Sequence, residues 1–134
     1  MEQEQGFSVQ FVGDVKAGFP SPAENIREEL DLVNLLVRHP ASTFFFRVSG
    51  VSMVDAGLDE GDIIIVDRAL EPYNHCKAVC FIDGEFTVKT VEIHEKSVLL
   101  LPANRLNERY KAIEVGPDND FSVWGVVTYV IKKM

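Results

Sequence analysis

The apolar positions of this chain change period once. Near the start, Asp31 can cap a short helix running through Leu32, Val33, Leu35 and Leu36, and Pro40 stands just beyond it, where helices commonly stop. From Thr43 onward the pattern becomes one of strands, expected at 43–49, 62–67, 77–83, 85–93, 97–101, 111–115 and 121–131. The separators "DEGD", "EPYN", "DGE" and "GPDND" are made of turn residues. Asp83-Gly84 between two strands is a hairpin signal. Many short strands with regular turns predict a mainly β domain folded over on itself. The short helix and a turn near Met53 to Gly57 are the exceptions.

Residues 1–28 read differently from 29–134. They hold Gly6, Gly13, Gly18 and the segment "GFPSPAE", whose prolines fix φ and push their neighbours toward extended backbone. This predicts an extended arm with little core of its own, followed by one β domain. A disordered terminus is the plainer alternative. Phe7, Val9, Phe11 and Val12 instead favour part of the arm docking as a strand.

Composition narrows the function. Of 134 residues, 46% are hydrophobic and 25% charged, as in an ordinary globular domain. A net charge of −8 argues against direct binding to a nucleic-acid backbone, which needs clustered Lys and Arg. Work near nucleic acid would then pass through another protein. No apolar run approaches the ~20 residues of a membrane span. The acidic opening "MEQEQGFSVQFVGD" lacks the apolar core of a signal peptide. A cytoplasmic chain without a membrane partner is the expectation. Cys76 and Cys80 are then free thiols, and with His75 alone beside them they make a weak case for a metal. No cofactor is implied.

One stretch breaks its own pattern. "FRVSGVSMVDAG" begins as a strand and then places Ser52 just past Gly50, between Val51 and Met53. A serine needs a neighbouring base to act as a nucleophile at neutral pH. His39, His75 and His94 lie at a helix end, in a turn and at a strand end, none in a recognisable catalytic pattern. A lysine serves equally if burial keeps it neutral. In "EFTVKTVEI", alternation puts Lys89 on one strand face with Glu85, Thr87, Val91 and Ile93. That allows an inward-facing lysine at one end of the strand. It also allows a solvated lysine on an edge strand, a common guard against aggregation.

The motifs together go further. "VSGVSM", then "DEGDIIIVDR", then "GEFTVKTV" resemble the self-cleaving serine–lysine peptidase domain shared by LexA-type repressors and the SOS mutagenesis protein UmuD. The resemblance implies a LexA/signal-peptidase-like fold, with Ser52 as nucleophile and Lys89 as general base. "AGFPSPA" resembles the UmuD cleavage region, which implies a scissile bond between Ala17 and Gly18. "LLVRHPASTFFFRVSG" and "WGVVTYVI" extend the likeness from about residue 16 to 132. With only 17 residues before that bond, a LexA-type DNA-binding domain is not expected. The family further implies an oxyanion site at the Val51 and Ser52 N–H groups and a homodimer. It also implies promotion by a RecA filament and service to a UmuC-type Y-family DNA polymerase. Trp124 is an interface anchor or a core residue with equal reason.

Three rival readings remain at this point. One is a non-catalytic β interaction module. Another is a peptidase cutting other chains, and the third is a relative of phage repressors or anti-restriction proteins.

Overall fold

The computed structural model describes residues 8–20, 22 and 28–134. It is mainly β and divides into two compact units, Met1–Arg38 and His39–Met134.

The first unit holds strands β1 (Ser8–Phe11) and β2 (Glu28–Asp31) and helix α1 (Leu32–Leu36). The two strands pair antiparallel, with Val9 opposite Leu30 and Phe11 opposite Glu28. The expected docking of the arm as a strand thus occurs at Val9 and Phe11. Val12 falls just past β1, and Phe7 lies outside the described residues. Beyond the β1–β2 pairing this unit continues through α1 to Arg38. Asp31 caps α1 as anticipated: its carboxylate accepts the Asn34 N–H at 3.2 Å and the Asn34 side-chain amide at 2.7 Å.

The second unit is a seven-stranded sheet. Its strands are β3 (Thr43–Arg47), β4 (Ile63–Asp67), β5 (Lys77–Ile82), β6 (Glu85–Ile93), β7 (Val98–Leu101), β8 (Ile113–Val115) and β9 (Phe121–Ile131). The spatial order is β3-β4-β9-β5-β6-β7-β8, with antiparallel neighbours throughout. The expected strands at 85–93 and 121–131 are met in full. The others shorten by one or two residues where turns take over their ends. The β5–β6 hairpin turns at Asp83 and Gly84, with φ of 47° and 89°, the left-handed pair a two-residue hairpin requires.

Alternation along β5 builds a core on each face of the sheet. Ala78 and Cys80 enter one apolar cluster with Val91, Leu100, Val115 and Val126. Val79, between them, enters the other with Val48, Met53, Leu58, Ile64 and Val66. Both cysteines are free and buried within the first cluster.

β9 lies between β4 and β5, and its register slips against each. Thr128 is skipped in the pairing with β4 and Trp124 in the pairing with β5. Such bulges bend a strand and re-aim its side chains. Trp124 turns into its own chain: the rings of Phe44, Phe46 and Phe86 lie 5.1, 5.3 and 5.6 Å from it. The Arg68 guanidinium stands 4.3 Å over the indole. Beside it, Gly125 lets the strands approach closely. A Cβ there would meet Val66 Cγ1 at 2.5 Å and Arg68 Cγ at 3.3 Å.

A polar knot closes the start of this unit. The buried Asp67 carboxylate bonds His39 Nδ1 at 2.5 Å, the Ser42 hydroxyl at 2.9 Å and the Ala69 N–H at 2.8 Å. Burial alone would raise its pKa, but those partners hold it below the ordinary carboxylate value.

Gly125→Ala is expected to destabilise the protein by about 1–3 kcal/mol through overpacking against Val66. Urea unfolding of the variant, with a lowered midpoint at an unchanged slope, checks this.

Candidate active site

Ser52 leaves the sheet because the chain just before it bends at a glycine. Gly50 has φ of 90°, a backbone conformation that side chains rarely adopt. Met53, 2% exposed, anchors the turn in the core, and a single 3₁₀ turn follows at Val54–Ala56. Gly57, at φ 82°, ends it. The Met53 carbonyl accepts the Ala56 and Leu58 N–H groups at 3.0 and 3.2 Å.

Two neighbouring segments brace this turn. On one side, the Val48 N–H and carbonyl bond the Asp62 carbonyl and the Gly61 N–H, each at 2.8 Å. On the other, residues 103–105 run alongside it. The Ala103 N–H bonds the Ser52 carbonyl at 2.7 Å, and the Asp55 N–H bonds the Ala103 carbonyl at 2.7 Å. The Asn104 amide donates to the Val51 carbonyl at 2.8 Å, and the Arg105 N–H to the Asp55 carboxylate at 2.7 Å.

Lys89 comes from β6, which lies inside the sheet between β5 and β7. Of the two placements that alternation allows, Lys89 takes the inward-facing one: it is 8% exposed, on a strand that is not at the sheet edge. Its cross-strand partner is Ala78, a small residue that leaves room for the lysine stem. Lys89 Nζ reaches Ser52 Oγ at 3.0 Å, Thr87 Oγ1 at 2.9 Å and the Val88 carbonyl at 3.1 Å. The Thr87 contact follows from the alternation that puts both side chains on one face.

These contacts suit either charge state. A protonated amine donates to all three oxygens. A neutral amine donates to Thr87 and Val88 and keeps a lone pair for the Ser52 hydroxyl. Among the described residues no carboxylate lies within ion-pair distance of Lys89. Burial therefore lowers its pKa from the ordinary lysine value. Cys80 nearby supplies no counter-charge, because burial pushes its thiol up to about 12.

Ser52 and Lys89 line a cleft of about 210 Å³, with Phe46, Val48, Val79 and Phe86 among its apolar walls. Among the described residues, neither the Val51 nor the Ser52 N–H has a hydrogen-bond partner. Ala17 and Gly18 lie in an exposed bend of the first unit. The histidines pair elsewhere: His39 with Asp67, and His75 and His94 with Glu92 at 3.9 and 3.6 Å. The sequence reading missed the brace at residues 103–105, where Asp55 and Asn104 carry no motif of their own.

Comparison with known proteins places these residues in context. Residues 10–128 match the family model described as Peptidase S24-like, a span that includes Ala17, Gly18, Ser52 and Lys89. The chain is 40% identical over 124 residues to Protein ImpA of Escherichia coli, covering 92% of this chain and 82% of that protein. It is 39% identical over 117 residues to Protein MucA of Salmonella typhimurium, covering 86% and 77%. To Protein SamA of Salmonella typhimurium strain LT2 it is 39% identical over 135 aligned positions, covering 98% and 91%.

A buried lysine without a counter-ion costs stability while the solution favours its charged form. Lys89→Met is therefore expected to raise the melting temperature at pH 7. Because the folded pKa is depressed, the native chain regains this stability as pH rises toward the unfolded value of about 10.4. The gap between variant and parent should thus shrink from pH 7 to pH 10, as read by thermal melts across that range.

Proposed function

The chain belongs to the S24-like peptidase family, the LexA/UmuD family that its motifs resemble, and from that premise we propose that it cuts itself between Ala17 and Gly18. The observation that carries this reading is the 3.0 Å approach of a buried amine, unpaired with any described carboxylate, to the Ser52 hydroxyl.

Neutral Lys89 takes the Ser52 proton as Oγ attacks the Ala17 carbonyl carbon. The oxygen of that carbonyl becomes negative and is held by the Val51 and Ser52 N–H groups. The Lys89 ammonium then protonates the Gly18 nitrogen, and the peptide bond breaks. Ala17 is left as an ester on Ser52. Lys89, neutral again, takes a proton from water, whose oxygen attacks the ester carbon; the ammonium then returns that proton to Ser52 Oγ as the ester bond breaks. The products are a 17-residue peptide and a chain that begins at Gly18.

Small residues on both sides of the bond leave little side-chain bulk to seat beside Ser52 when the arm docks. A tethered substrate stands at high effective concentration, so the reaction needs restraint rather than affinity. Protonation of Lys89 and infrequent docking of the arm supply it. A RecA filament would act by favouring the docked, water-free state. The shortened chain, as a homodimer in the cytoplasm, then serves a UmuC-type Y-family polymerase in translesion synthesis during the SOS response. The net charge of −8 fits that role, in which the polymerase and not this subunit holds the DNA.

Purified protein held at pH 10 is expected to lose residues 1–17, read by intact mass and by a new N-terminus at Gly18. The rate should rise about tenfold per pH unit below the Lys89 pKa and level off above it. Ser52→Ala should stay intact, and Lys89→Ala should slow cleavage by about 10²–10⁴-fold. A wild-type chain that stays whole at pH 10 would point to a binding module instead. Cleavage of added chains by a variant lacking residues 1–17 would point to a peptidase acting in trans.

A further inference from the structure

The brace behind the Ser52 turn has one member that acts on a single peptide group. The Asn104 side chain donates its Nδ2 to the Val51 carbonyl at 2.8 Å. A carbonyl only accepts, so the amide nitrogen must be the atom that faces it. That carbonyl belongs to the peptide group whose other end is the Ser52 N–H. In a trans peptide the C=O and N–H point in opposite directions, and the group turns as one plane. Fixing the oxygen therefore fixes the direction of the hydrogen. It also polarises the group, since a peptide that accepts a hydrogen bond donates a stronger one.

Asn104 is half-buried and absent from the lining of the cleft that Ser52 lines. It takes no part in the Lys89 contacts, which go to Ser52, Thr87 and Val88. The other brace bonds, from Ala103 to Ser52 and between Asp55 and residues 103 and 105, do not involve its side chain. The turn thus has its own supports, and Asn104 adds control of one plane.

We infer that Asn104 is a positioning residue that aims the Ser52 N–H at the oxyanion formed during cleavage. The inference rests on the Ser52–Lys89 reading above. It makes Asn104 part of the machinery of self-cleavage, although its side chain takes no part in the Lys89 hydrogen bonds. Loss of an oxyanion donor slows catalysis by about 10²–10³-fold. A donor left in place but misaimed should slow it by roughly tenfold or more.

The test follows self-cleavage of the full chain from pH 7 to 10.5 in wild type, Asn104→Ala, Asn104→Asp and Ser52→Ala. Asn104→Asp keeps the shape but, once ionised, sets a carboxylate oxygen against the Val51 carbonyl. Both Asn104 variants are expected to cleave about tenfold or more slowly at every pH, including the alkaline plateau. The pH midpoint should stay where the wild type has it, and the melting temperature should remain above the assay temperature. Wild-type rates in either variant overturn the inference. So does a rate that recovers at the alkaline plateau, which would assign Asn104 to the environment of Lys89. Failure of both variants to fold would make Asn104 a strut and would also overturn it. An intact wild type at pH 10, or cutting by Ser52→Ala, would sink the proposed function, and the inference with it.

Discussion

An amine held largely out of water, with no described carboxylate beside it, is the constraint on which this structure turns. Charged groups are costly to bury, and a lone lysine meets that cost by giving up its proton more readily. The surroundings of Lys89 fit a group that changes charge. Ala78 opposite it is small, and Cys80 stays a neutral thiol. Thr87 and Val88 offer oxygens that accept hydrogen bonds in both states. A carboxylate in this position would stabilise the ammonium and remove the base. The proposed chemistry therefore depends on a group that no described carboxylate pairs.

The serine is supplied by a different kind of constraint. Its turn is over-determined by backbone bonds to residues 61–62 and 103, by the buried Met53 and by a glycine at positive φ. A hydroxyl held this way loses little freedom when it meets the amine, which is the condition for attack on a nearby carbonyl. The sheet contributes the distance. Lys89 is placed by the β5–β6 ladder, opposite Ala78, rather than by a loop.

The bulged strand β9 shapes the unit around this site. It pairs with β4 and β5 with a register slip against each, and Gly125 leaves room for the Val66 side chain. Trp124, released from pairing, fills the space among Phe44, Phe46 and Phe86, and two of those rings also wall the cleft. The indole is thus engaged within its own chain, on the side where the cleft needs an apolar wall.

Much of this was legible in the residues. Strands β6 and β9, the Asp83-Gly84 hairpin and the Asp31 cap follow from local chemistry: alternation, left-handed turn residues and a carboxylate before an apolar run. Ser52 and Lys89 stood out because a glycine-led serine and a mid-strand lysine each depart from their local pattern. Local pattern could not decide whether Lys89 faced water, since alternation fixes which residues share a face and not whether a neighbouring strand covers it. That was settled by the return of the Ser52 turn over Lys89, to within 3.0 Å across 37 residues of chain, which leaves the lysine 8% exposed. The brace at Asn104 was equally hidden, 53 residues from the carbonyl it holds. Contacts of that separation depend on the whole sheet closing, and no short window of sequence carries them.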